Sequence, residues 1–309
     1  MEHIKGINFA PFPCKGNLET ESAFRSLEEL KKRTNANTVI FVPNGLQDTA
    51  HSEEIVFDSC ANVTDKELIT MIHFAHDLGL QVILKPTVNC KNGTWRAHIN
   101  FFDEDVVCEP KWSNWFVSYT RFQLHYAKIA ELTKCEMFIP GCEMVMAERR
   151  EAEWRTLIGE IRNCYNGLIS YNADKYQEHN ITWWDCVDVI SSSGYYPIND
   201  WEVQLDRIET VVKKYQKPFF FAEVGCMSVV GAEQVPNNWN LKGDIDVSTQ
   251  KRWYEEMFAA CSKRTWISGY GIWEWCSKLY QEKNAISDGG YEVFGKPAEE
   301  IISKNFKEL

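Results

Sequence analysis

Two glutamates in this chain stand at the ends of apolar runs. Glu143 follows Phe138-Ile-Pro-Gly-Cys142, and Glu223 follows Pro218-Phe-Phe-Phe-Ala222 and precedes Val224-Gly-Cys226. A carboxylate in that position suits a solvated face badly, and glutamate is rarely buried without a partner or a task. Taken singly, either could cap a loop or pair with an arginine. Taken together, on two strand ends, they have the makings of an acid and a nucleophile. Glycoside hydrolysis needs that pair: one carboxyl protonates the leaving oxygen and the other attacks the anomeric carbon. The acid has to keep its proton, which an apolar setting or the partner's negative charge favours.

Other chemistries find less support. The seven histidines form no His-x-x-x-His or His-Glu-x-x-His set, and His73 and His76 read as surface residues of a helix. No Gly-x-Ser-x-Gly elbow is present, so serine acyl transfer is not indicated. Asp244, Asp246 and Glu233 could hold calcium but read better as a solvated loop. The 11 cysteines are odd in number and contain no Cys-x-x-Cys pair, which disfavours a disulfide framework or a zinc site. They are expected to be reduced thiols, with no metal and no cofactor. The N-terminus carries no basic and apolar leader and no apolar stretch reaches 18 residues. A cytoplasmic protein without a membrane span is therefore expected.

Composition narrows the partner. Lys+Arg 33 against Asp+Glu 44 gives a net charge of -11, which argues against nucleic acid or an anionic membrane. Hydrophobic residues at 44% suffice for a large core. The marked bias is 12 Trp, 12 Tyr and 17 Phe, which suits a neutral oligo- or polysaccharide lying on indole faces and equally suits a large aromatic core. A monomer is expected.

The elements that must position the glutamates repeat one pattern, an apolar strand followed by an amphipathic stretch. Residues 36–43 read as a strand stopped by proline. Thr64-Asp-Lys-Glu67 has the form of a capping box and opens a helix to Leu78, after which 81–86 returns as a strand. Helical patterns near 113–133 and 151–165 lead to strands at 136–143 and 167–172. Further strands are expected at 187–192, 218–223 and 269–275, and 4–9 brings the total to eight. Eight strands alternating with helices imply parallel pairing, and the length suits a closed (β/α)8 TIM barrel over 1–309 as one domain. An open doubly wound sheet would need a Gly-rich turn after its first strand, where this chain has Asn8-Phe-Ala-Pro-Phe-Pro13. In barrels the site sits at the C-terminal ends of the strands, which is where both glutamates fall.

On these residues the sequence resembles the clan A glycoside hydrolases, which carry a glutamate on strands four and seven. More specifically it is similar to glycoside hydrolase family 113, the endo-β-1,4-mannanases. The similarity runs through Lys5-Gly-Ile, Val42-Pro, Gln47-Asp48, Ser52, Ala75-His-Asp-Leu-Gly-Leu-Gln-Val-Ile-Leu-Lys-Pro86 and Trp95-Arg96. It continues through Trp184-Asp-Cys-Val-Asp188, Tyr195-Tyr-Pro197, Ala222-Glu-Val-Gly225, Trp273-Glu-Trp275, Gly289-Gly-Tyr and Gly295-Lys-Pro-Ala298. The resemblance implies a retaining double displacement on β-1,4-mannosidic bonds, with Glu143 as acid/base and Glu223 as nucleophile. Carboxyl groups in such a pair lie about 5–5.5 Å apart. The chain departs from the pattern with Cys142 in place of Thr before the acid, Asn44-Gly45 in place of an aromatic turn, and Thr87 and Asn89 in place of His and Asp. These positions are expected to line the mouth. They leave two alternatives open: a same-clan hydrolase of another β-linked hexoside, or a non-catalytic sugar-binding barrel.

Supporting residues follow from position. Trp273 and Trp275 are read as facing opposite ways on the last strand, with Trp273 the first choice for the floor under the reacting sugar. One of Tyr195 and Tyr196 is expected to bond the nucleophile's carboxylate, and Trp95 and Arg96 to bind a flanking sugar. Lys85, Gln47 and Asn172 complete the candidate sugar contacts, whereas Trp184 is read as packing between helix and sheet.

Overall fold

The computed structural model describes residues 2–309. Short β-rich runs become strands and the amphipathic stretches between them become the covering helices. The capping box forms as the sequence predicts: the Thr64 side chain accepts the Glu67 N–H, and the Glu67 carboxylate accepts the Thr64 N–H in return. The helices are α1 (Glu21–Thr34), α2 (Asp65–Asp77), α3 (Trp112–Thr133), α4 (Glu151–Arg162), α5 (Trp201–Tyr215), α6 (Val247–Cys261) and α7 (Pro297–Glu308). No helix among the described residues is long and apolar enough to cross a membrane.

The barrel strands are β1 (Ile4–Phe9), β2 (Thr38–Phe41), β4 (Gln81–Leu84), β6 (Met137–Phe138), β7 (Leu168–Ala173), β8 (Val189–Ser193), β9 (Phe219–Val224) and β10 (Ile267–Trp275). They close in the order β1-β10-β9-β8-β7-β6-β4-β2, each pair parallel, so all eight expected strands occur. The two remaining strands, β3 (Asn44–Gln47) and β5 (Thr87–Cys90), pair in parallel as a separate sheet beyond Pro43 and Pro86. Proline lacks an N–H and interrupts a ladder, which is why the sequence reads as ending there. The chain resumes its pairing one residue later.

Apolar side chains form two clusters. The inner one fills the barrel with Ile4, Ile40, Val42, Ile83, Met137, Ile139, Val189, Phe220 and Ala222, and the outer one lies between sheet and helices. Of the tryptophans, Trp112, Trp115, Trp154, Trp183, Trp184, Trp201, Trp253 and Trp275 are fully buried. The aromatic bias is therefore mostly core, Trp184 included. At the seam where the first strand meets the last two, the Asn8 amide donates to the carbonyls of Ala222 at 3.0 Å, Gly271 at 3.2 Å and Ile272 at 3.3 Å. All cysteines are free thiols.

Candidate active site

Strand irregularities aim the key side chains. On β9, Phe219 and Phe221 face the helices while Phe220 and Ala222 face the interior. Strict alternation would turn Glu223 outward. The β8–β9 register shifts between Ser192, opposite Phe221, and Ser193, opposite Glu223. The extra residue turns the Glu223 carboxylate into the mouth, as bulges beside active sites do.

A second shift acts on β10. Ile7 pairs with Ile272 but Phe9 pairs with Trp275, so one extra residue lies between them. In a regular strand Trp273 and Trp275 would share a face. Here Trp273 lines the cavity, while Trp275 is fully buried behind the sheet, its indole donating to Ser26 Oγ at 3.0 Å and packing on Phe294. Trp275 is thus a core residue and not a sugar contact.

Glu143 lies beyond β6 on a segment bridged to β7 through Cys142 and Asn172. Its φ of 54° is left-handed, a conformation that costs an ordinary residue about 1–2 kcal/mol. Hydrogen bonds on both sides hold it there. The Glu143 N–H donates to the Asn172 carbonyl at 2.8 Å, and the Met144 N–H donates to the Tyr171 hydroxyl at 3.1 Å. Tyr171 in turn donates to Glu148 at 2.8 Å. Gly141 is required in this segment, because a Cβ would come within 2.6 Å of the Tyr171 ring.

The two carboxylates are gripped by different sets of donors. Glu143 Oε1 accepts the Ser193 hydroxyl at 2.8 Å, and Oε2 accepts Arg96 Nη1 at 2.9 Å and Trp95 Nε1 at 3.1 Å. Glu223 Oε1 pairs with the fully buried Lys85 ammonium and accepts the Cys142 thiol at 3.3 Å, while Oε2 accepts the Tyr195 hydroxyl at 3.0 Å. Burial alone would raise the Glu223 carboxyl, but the charges of Lys85 and Arg96 and the thiol hydrogen bond hold it below the ordinary glutamate value. Burial and the Glu223 charge push the Cys142 thiol and the Tyr195 hydroxyl well up, so both remain protonated donors. One oxygen of each glutamate and the Cys142 sulfur all lie within 4.8 Å of one another. With Lys85 and Arg96 already neutralising these carboxylates, the three atoms are a poor cage for a metal ion.

Around them opens a cavity of about 460 Å3, lined by Phe12, Trp95, Trp239, Trp273 and Tyr291 together with Asn89, Asn237, Asp174, Lys175 and Glu274. Trp239 is 54% exposed and meets Trp95 edge to face at 6.2 Å. Burial and the Glu143 charge push Asp174 up to about 8.

Several expected contacts lie elsewhere. Tyr196 is buried with its hydroxyl on Glu178 at 2.8 Å, so of the tyrosine pair only Tyr195 reaches Glu223. Gln47 is buried in β3, accepting from Trp115 and donating to the Thr49 carbonyl, away from the cavity. Asn172 is buried beneath the mouth and donates to Ser193 Oγ at 2.9 Å, which places it behind Glu143. Lys85 contacts Glu223 and lies outside the cavity lining, and Arg96 grips Glu143, with Trp95 both lining the cavity and bonding Glu143. Among the departures from the family pattern, Asn89 lines the cavity and bonds Arg96, whereas Asn44, Gly45 and Thr87 are buried in the separate sheet. Ser193 ends β8, Asp174 directly follows β7 and Glu274 lies near the end of β10; the apolar runs do not single these three out, and their polar character at strand ends is the only local signal. Phe12, Lys175, Trp239 and Tyr291 come from loops and carried no periodic signal.

A closed parallel barrel with two facing glutamates at its C-terminal mouth, beside an aromatic cavity, is the architecture of a glycoside hydrolase. The chain belongs to glycoside hydrolase family 113, whose model matches residues 7–296. It is similar to two solved structures of a family 113 β-1,4-mannanase, one of them a complex, each at 55% identity over 100% of both chains with a TM-score of 0.99. It is also similar to the family 113 β-mannanase of Alicyclobacillus acidocaldarius in complex with ManMIm, at 40% identity over 100% of this chain and 98% of that one, TM-score 0.96. A β-D-glucuronidase from Dictyoglomus thermophilum, at 16% identity and TM-score 0.67, shares the fold over 51% of its own length. No curated protein matches the chain.

Proposed function

We propose that this enzyme hydrolyses β-1,4-mannosidic bonds with net retention, Glu143 serving as acid/base and Glu223 as nucleophile. The observation that carries the reading is the facing pair, one oxygen of each lying within 4.8 Å of one of the other and Glu223 held below its ordinary value. An inverting pair stands roughly 6.5–9.5 Å apart to admit a water. In the first step the Glu143 proton passes to the glycosidic oxygen, the C1–O bond breaks, and Glu223 bonds C1. In the second step Glu143 takes a proton from water, whose oxygen bonds C1 and releases the Glu223 carboxylate. Trp273 offers a ring to the sugar between them, and Tyr195 and Lys85 keep the Glu223 oxygens oriented. The mannan preference is supported by the two family 113 mannanases above and by a cavity whose aromatic lining suits neutral sugars.

A panel of mannan, glucomannan, cellulose and xylan fragments tests the substrate, with mannan fragments expected to turn over fastest. Glu223→Gln should abolish hydrolysis in a folded protein, and near-normal turnover would sink the assignment. Glu143→Ala should slow unactivated leaving groups far more than activated aryl glycosides. Proton NMR of the first-formed anomer should show retention; inversion would remove the double displacement.

A further inference from the structure

The register shift that separates Trp273 from Trp275 also delivers a second residue to the cavity. Glu274 would face the helices in a regular strand, yet it lines the cavity beside Trp273. It is half-buried, and its carboxyl has neither a hydrogen-bond donor nor an ion-pair partner among the described residues. The nearby charges are already committed. Lys296 bonds Ser228, the Gly290 carbonyl and Asp288, and Glu292 accepts the N–H groups of Cys276 and Phe294. Burial, with the charges of Glu292, Asp288 and Glu223 outweighing Lys296, pushes Glu274 up to about 7. A carboxyl that burial partly strips of water, and to which no protein donor is supplied, is free to bond a ligand entering the cavity.

The sides of the cavity can be told apart. Glu143, read as the acid, meets the bond being broken and so stands toward the leaving group. Glu274 and Trp273 lie on β10, next to the strand that carries Glu223. They therefore flank the sugar that Glu223 would hold. We propose that Glu274 binds a hydroxyl of the sugar transferred to Glu223 and confines that position to neutral sugars, turning away uronates. This rests on the retaining reading given above. A carboxylic acid donates to a hydroxyl and a carboxylate accepts from one, so the contact survives protonation. Above about pH 7, where Glu274 is ionised, it would repel a sugar carboxylate together with Glu223 and their acidic neighbours.

The test compares wild-type, Glu274→Ala and Glu274→Gln enzymes on an aryl β-mannoside, its 3-, 4- and 6-deoxy analogues and the corresponding mannuronide. Removing one particular hydroxyl should cost the wild type about 10- to 100-fold in kcat/KM. The same removal should cost Glu274→Ala little, while losses at the other positions stay as in the wild type. Glu274→Gln should keep part of the discrimination and accept the mannuronide better than the wild type does. Equal discrimination by wild type and Glu274→Ala at every position would overturn the proposal, as would unchanged exclusion of the uronate in both variants. If the wild type prefers another hexoside, the mannoside assignment fails on the parent substrate alone, and the same series built on that hexoside tests Glu274.

Discussion

Lys85 carries a charge into a place where its side chain is wholly shielded from solvent, and Glu223 is the counterion that makes this tolerable. Burying an ion costs several kcal/mol, and losing one partner of a buried pair leaves that cost uncompensated. Lys85→Met should therefore remove the main charge that opposes burial at Glu223 and raise its carboxyl. In the wild type a lowered value means Glu223 stays ionised down to pH values below 4.5, and the ability to attack is lost only as pH falls through the lowered value. The acidic limb of kcat/KM against pH should thus move upward in Lys85→Met, with a reduced plateau. A limb that stays in place would mean that Lys85 does not set the ionisation of Glu223. Lys85 and Tyr195 were legible as polar residues at strand ends. Which of Tyr195 and Tyr196 faces inward was not, because both follow the last regular pair of β8 and only the turn decides.

Strands and their interruptions account for the rest of the site. The apolar runs and proline stops gave all eight barrel strands, since those signals are local. The register shifts in β9 and β10 depend on neighbouring strands far away in sequence, so alternation mispositions Glu223, Glu274 and Trp275. The sheet of β3 and β5 was hidden for a related reason: Pro43 and Pro86 mark the ends of strands, not of pairing. The segment after β6 depends in turn on β7, whose Tyr171 ties the Met144 N–H to Glu148. Burial pushes the Glu148 carboxyl well up, and its Oε1 accepts the Tyr171 hydroxyl hydrogen bond. Tyr171→Phe leaves that N–H and Glu148 unpaired, which should cost about 1–3 kcal/mol and lower the thermal midpoint by a few degrees. It should also slow unactivated mannosides more than activated aryl ones, because the displaced group is the acid. Equal loss on both would assign Tyr171 to stability alone.

Across the whole molecule, charge and chemistry are decoupled. A net charge of -11 repels anions at long range but exerts no steering on a neutral glycan. Between about 10 and 500 mM NaCl, kcat/KM on mannooligosaccharides should change less than about twofold, since screening has no substrate charge to act on. A strong salt dependence would point to a charged natural substrate. The buried pairs at Glu143 and Glu223 are likewise little affected by added salt. The seam held by Asn8 brings time into this picture. A side chain on the first strand braces the carbonyls of Ala222, Gly271 and Ile272, neighbours of Glu223 and Trp273, across 214 to 264 residues of sequence. While the chain is being synthesised, the strand bearing Glu223 emerges before β10 exists, and the barrel cannot close around it. Competence for hydrolysis should therefore arrive late in synthesis, and a ribosome-bound chain that ends before β10 should be catalytically silent.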